Sequence, residues 1–299
     1  MQPEPSAYRM GSASLTSRIA TFLLAIPALG LVAGLIFLPT IGLFVLSLAE
    51  NFNPGDPVDK FFAGNFGWAN YVRLITDEFV IGRLLRTLAI GAIVTLGTIA
   101  VGVPLAMALW RMSGRAKALL LALTLTPLLV SIVVSAYGWS VLLGQSGIVN
   151  ETLRSLGLIS RPLKLMHSDI AIVIGLVHIL LPFMVLSLLA ALERVPRVVL
   201  EAASTLGASP LRVHAAITLP LASAGIRSGV LLVFSLAVAA FVTPAILGGN
   251  GTPVFPMVIY EQFSGSFQWA YGAALAIALL VISSVIVALY LATARRVSY

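Results

Sequence analysis

The stretch Glu201–Pro220, EAASTLGASPLRVHAAITLP, lies between two long apolar segments and is the most heavily punctuated passage of the chain. From Pro196, PRVVLEAASTLG has the pattern of a short helix, with proline in its first turn, Val199, Ala202, Ala203 and Leu206 on one face, and Gly207 closing it. Ser209 then offers an N-cap and Pro210 a first helical residue for a second helix, which runs through Leu211 and Ala215 toward Ile217 and is expected to stop before Pro220. Between them Gly207 takes positive φ without penalty, which permits a tight reversal. A helix-turn-helix of this size has no core of its own. Its apolar face, rimmed by Arg197, Glu201 and Arg212, suits a groove on a partner. It also suits a layer of lipid headgroups, with Glu201 merely paired to Arg197 one turn back for about 0.3 kcal/mol.

What flanks the stretch sets its context. Hydrophobic residues make up 59% of the 299 and charged residues 10%, against about 25% charged in soluble domains. The mean hydropathy is +1.04. No water-soluble surface can be assembled from this composition, so the chain is an integral membrane protein. A bilayer core of about 30 Å needs about 20 apolar residues in a helix. Six segments qualify, at about 20–48, 87–110, 118–143, 170–192, 225–248 and 270–293, all in one domain spanning 1–299. The first is far longer than a signal-peptide core and is expected to be retained. Kinks are expected at Pro39, Pro127, Pro182 and Pro244, which are tolerated where neighbouring helices satisfy the freed backbone. Between the spans, a turn is expected at NPGDP, an interfacial helix at Trp68–Ile75, and a short surface helix where Ile148, Leu153, Leu156 and Leu158 recur.

Charge orients the spans. With six spans both termini share a side, and that side, including the second and fourth loops, carries 11 of the 18 Lys and Arg but 3 of the 11 Asp and Glu. The positive-inside rule places the termini and the loop at 193–224 in the cytoplasm. The net charge of +7 follows the membrane and implies no nucleic-acid partner. There is no cysteine, and hence no disulfide and no thiolate site.

Chemistry is sparse. No phosphate-binding loop, dinucleotide fingerprint, zinc-binding HExxH or nucleophile elbow occurs. His167, His178 and His214 are scattered, and His178 falls inside the fourth span with no partner visible in the sequence. Every Asp and Glu lies in a loop or at a span edge, so any uphill transport draws its energy from outside the chain. Tyr137, Trp139, Phe234 and Phe241 are candidate path-lining groups, since aromatic faces attract ammonium ions; interfacial belts and lipid-facing Phe account for the same residues.

Glu201, Ala202, Ala203, Gly207, Ile217, Leu219 and Pro220 fit EAA-x3-G-x9-I-x-L-P with every spacing kept, and this resembles the permease subunits of binding-protein-dependent ABC importers. RTLAIGAIVTLGTIAVGVPLAMAL, YGWSVLLGQSGIVNETLRSLGLI and FVTPAILGG resemble the spermidine/putrescine branch, and there the subunit paired with a second, non-identical permease. The resemblance implies an all-α, six-span permease of the ABC importer type I kind in a bacterial inner membrane. It implies that the loop, Arg212 included, is a coupling helix docked on an ATPase, with ATP and Mg on that subunit and no cofactor or metal on this chain. It also implies two ATPase copies, a periplasmic binding protein, and a polyamine or related amine as solute, with opines, amino-acid-like compounds, metals or anions as alternatives. Other classes remain: a self-contained secondary transporter, which buried ionisable residues or inverted repeats would favour; a membrane-embedded enzyme; and a scaffold that recruits a partner without moving solute.

Overall fold

A computed structural model describes residues 15–50, 52, 55, 64–249, 251 and 253–296. The NPGDP turn and the first fourteen residues lie outside them, Gly55 excepted. The described residues form helices joined by short connections, with one isolated bridge between Ala49 and Phe66.

The helices are α1 Leu15–Leu48, α2 Ala69–Thr76, α3 Glu78–Arg111, α4 Gly114–Leu129, α5 Ile132–Leu143, α6 Ile148–Ser155 and α7 Asp169–Leu192. They continue with α8 Arg197–Thr205, α9 Pro210–Leu221, α10 Ser223–Val238, α11 Val242–Leu247, α12 Phe255–Ser264 and α13 Trp269–Arg296. Five stretches are long and apolar enough to cross a membrane; α10 reaches that length only when counted together with α9, from which it bends by 66°.

The core is the packing of α3, α7 and α10 on one another. Ile90 and Val94 of α3, Ile172, Leu176 and Met184 of α7, and Val233 and Ala237 of α10 are buried together. Toward the cytoplasmic ends Ala106, Leu109, Leu188 and Leu192 continue the seam. Lipid offers apolar side chains no hydrophobic gain, so close approach must supply the energy, and small residues permit it. Gly225 is the clearest case: a Cβ there would lie 2.6 Å from the Ser187 carbonyl oxygen and 3.0 Å from the Leu188 Cα. Between helices, Thr87 donates to the Arg83 carbonyl and accepts from the Phe255 amide at 2.7 Å.

At the periphery α1 packs on α13 and is held at its outer end by α2, where Ser47 and Tyr71 share a hydrogen bond of 2.7 Å and Asn70 donates to the Ser47 and Ala49 carbonyls. Most of the described large side chains of α1 remain exposed. On the outer surface, α6 ends at Ser155, ahead of Leu156 and Leu158, because Gly157 turns left-handed at φ 70°. Buried Asn150 binds the Gly144 and Leu163 carbonyls and the Leu163 amide, which ties α6 to the loop that follows it.

Two expected spans are each divided. Residues 118–143 separate into α4 and α5 at extended Val130 and Ser131, and residues 225–248 separate into α10 and α11 at 239–241. Pro244 supplies a reason for the second division: it has no N–H for the carbonyl four residues back, so the helix stops and restarts with the proline in its first turn. The chain stays helical through Pro39, Pro104 and Pro182.

Candidate functional site

The hairpin of α8 and α9 hangs from the end of α7. Its reversal is a left-handed cap: Gly207 has φ 80°, its N–H bonds the Ser204 carbonyl at 3.0 Å, and the Ala208 N–H bonds the Ala203 carbonyl at 3.1 Å. These two bonds satisfy carbonyls that the helix end would leave open. A Cβ on Gly207 meets nothing within 4 Å, so glycine is required there by backbone conformation and not by space.

The second helix differs from expectation. It continues through Pro220 to Leu221, because the turn His214–Thr218 widens to π geometry and the Leu219 N–H reaches back five residues to the His214 carbonyl. The wider turn relieves the steric conflict that proline brings to an α-helix. The axis then breaks at Ala222, before α10.

The hairpin has two faces. Ala203, Val213 and Thr218 are buried, and Leu200 packs against the cluster around Ala106, Leu188 and Val195. Leu206 and Leu211 are 88% and 82% exposed, and Val198 is exposed beside them. Of the residues matching the loop pattern, Glu201, Ala202, Gly207 and Pro220 are exposed, Ile217 and Leu219 are half-buried, and Ala203 faces the protein; Arg212 is exposed too. The pairing of Glu201 with Arg197 involves a side chain outside those described. Glu201 instead lines a cleft of about 340 Å³ with Leu200, Trp110 and Arg111, the last two from the end of α3.

Arg111 makes the connection that sequence reasoning missed. Its Nη2 donates to Nε2 of His214, since arginine has no acceptor. The imidazole is then neutral with its proton on Nδ1, 3.2 Å from the Thr218 hydroxyl, which in turn reaches the Val213 carbonyl. Burial, and after it the Arg111 charge, holds the His214 pKa below the ordinary imidazole value. Nearby, Lys117 of α4 lies 4.0 Å from Glu193 at the end of α7. The hairpin is thus joined to the bundle through α3 as well as through the chain. A separation of 103 residues left no local signal for that contact.

The four aromatic candidates are not brought together. Tyr137 is exposed on α5, and Phe234 lines a lateral groove beside α13. Trp139 donates to Nδ1 of His178 at 3.2 Å in an edge-on contact, which gives His178 its partner on a neighbouring helix. Phe241, at the start of α11, stacks obliquely on Tyr260 with ring centroids 4.9 Å apart. The helices that follow the two interruptions, in contrast, pack on each other, α5 on α11. Each follows a sixteen-residue helix, about 24 Å from its cytoplasmic start.

Comparison with known proteins agrees with this architecture. The spermidine/putrescine transport system permease protein PotB of Escherichia coli (strain K12) is 35% identical over 226 residues, covering 76% of this chain and 82% of PotB. The inner membrane ABC transporter permease protein YdcU of the same organism is 30% identical over 303 residues, covering 90% and 94%. A chain of a bacterial ABC transporter involved in the import of alginate has the same fold, with a TM-score of 0.78 at 19% identity over 94% of this chain and 96% of its own. A chain of the methionine transporter MetNI gives 0.51 at 18% identity, over 74% and 97%. The family of binding-protein-dependent transport system inner membrane components matches residues 12–299. The chain belongs to that family, and is a multi-spanning inner-membrane permease that forms half of the path of an ABC importer.

Proposed function

We propose that the α8–α9 hairpin is the coupling element of this permease, seated in a groove of the ATPase subunit, and that the solute is a polyamine or a related amine. The permease itself is not catalytic; in such importers ATP is hydrolysed on a separate subunit. The observation that carries the coupling role is a rigidly capped hairpin that exposes Leu206, Leu211 and Val198 while its other face is fixed to α3 and α7. Exposed apolar side chains of that size on a stiff support are anchors for a partner. Glu201 and Arg212 set the charge at the rim, and Ala202, Gly207, Ile217, Leu219 and Pro220 set the shape. ATP and Mg bind two copies of the ATPase, whose closure pushes the hairpin. Arg111 and Leu200 pass the displacement to the α3–α7–α10 core, which rocks as a body against a second, non-identical permease.

The solute path runs along α5 and α11. Irregular backbone is tolerated at membrane depth only where protein or water covers it. The divisions at 130–131 and 239–241 lie within an about 30 Å core and are partly exposed, so that face meets the second permease and an aqueous route. A periplasmic binding protein delivers solute to it. The amine reading rests on the likeness to PotB and on the outer side, which holds eight of the eleven carboxylates.

Purification of the tagged chain from its membrane in mild detergent tests the assembly, with an ATPase, a second permease and a binding protein expected to copurify. A chain that is isolated alone and still moves solute defeats the proposal. Uptake of radiolabelled putrescine and spermidine through the assembled importer tests the solute; competition by unrelated anions but not by amines defeats that part alone.

A further inference from the structure

A lateral groove of about 530 Å³ lies between α3, α10 and α13, away from α5 and α11. Its walls are Leu96, Ile99, Val230, Phe234, Ile286 and Tyr290, with their neighbours. The hydroxyl of Thr95, also in the wall, is committed to the Gly91 carbonyl at 2.7 Å. The α10 wall runs over the nine residues from Ile226 to Phe234, a rise of about 12 Å. That is close to half of a bilayer core of about 30 Å, one leaflet deep.

A cation stands beside the cytoplasmic end. Arg227 stands one turn before Leu231 and two before Phe234, so helical periodicity sets it on the groove side. It is near enough to the Tyr290 phenol for its charge to act there. A slot close to one leaflet deep, with a half-buried arginine beside its cytoplasmic end, suits an anionic lipid. We propose that the groove and Arg227 bind an anionic phospholipid of the cytoplasmic leaflet, one acyl chain in the slot and the phosphate on the guanidinium. Arginine has five donors in a planar fork suited to phosphate, so contacts within the protein and to the lipid coexist. A transmembrane helix from another subunit would bring an apolar face to the slot but no phosphate to Arg227.

Native mass spectrometry of the detergent-purified importer, titrated with dioleoylphosphatidylglycerol or dioleoylphosphatidylcholine, tests the assignment. The wild-type complex should retain phosphatidylglycerol in preference. R227Q should bind it about tenfold more weakly, the loss of one charge-assisted contact, while R227K keeps most of the binding and shows that the fold is intact. V230W, which fills the slot and leaves Arg227 in place, should lose the lipid too. Equal retention by R227Q overturns the proposal. Loss in R227Q with full retention in V230W overturns the groove as the tail site. A photoreactive residue at Val230 that captures the second permease instead of lipid in native membranes overturns it as well.

Discussion

Two glycines mark two regions that hold together for opposite reasons. In the core, Gly225 exists because space is missing: α10 rests on the backbone of α7, and a single added carbon would intrude on Ser187 and Leu188. In the hairpin, Gly207 exists because conformation is unusual: nothing lies within reach of an added carbon, yet φ is 80°. The core is therefore defined by contact and the hairpin by the path of its chain. Damage to the first should remove the protein, whereas damage to the second should leave a protein that no longer responds to its ATPase.

The sharpest attempt to break this distinction is Gly225→Leu. Overpacking costs about 1–3 kcal/mol per small intrusion, and a leucine against backbone exceeds that range. Folded protein in membranes should fall at least tenfold by quantitative immunoblot; normal levels would show that α7 and α10 can separate freely. Next in size is Gly207→Val, where a β-branched residue must take a left-handed conformation at about 1–2 kcal/mol. Membrane levels should stay within about twofold, while solute uptake falls about tenfold or more and the ATPase is uncoupled from it. Full uptake in this variant would remove the hairpin from the mechanism.

Smaller effects sharpen the contrast. The His214 pKa is lowered in the folded chain, so the unfolded state binds the proton more readily, and stability contributed by the neutral ring rises with pH. The Arg111 contact is complete above about pH 6.5, the unperturbed value, and is lost as pH falls through the lowered one. Transport per ATP should decline on the acid side in the wild type, and His214→Gln, which keeps an acceptor but does not titrate, should flatten that limb. An unchanged profile in His214→Gln would show that another group sets it. Smallest is Glu201→Lys, a reversal at an exposed rim worth about 0.2–1 kcal/mol. Copurification of the ATPase should weaken a few-fold, more at low salt than at high, and no change at either would exclude an ionic contact.

The hairpin was legible in the sequence because glycine and proline act locally: Gly207, Ser209 and Pro210 state the turn and the second helix start without reference to the rest of the chain. The spans were legible as apolar mass, but their interruptions were not. Hydropathy counts side chains over a long window and is blind to a backbone that leaves the helix for two or three residues. Pro244 signalled a disturbance, yet the chain yields upstream, at 239–241, where the carbonyl that the proline cannot satisfy would have been. Arg111 with His214, and Trp139 with His178, were out of reach for another reason. These pairs are separated by 103 and 39 residues, and only the packing of whole helices brings them together.

The π turn at His214–Thr218 has a consequence for phase. Each α-helical residue advances about 100° around the axis, and a turn that spends one extra residue shifts everything after it by that angle. Leu219, eight residues after Leu211, thus falls about 20° from it around the axis instead of about 80°, and stays in line with it. The extra residue works as a spacer that sets the phase of the last turn of α9 against the first, and a regular α-helical turn over the same residues would swing one end by roughly a quarter of a revolution.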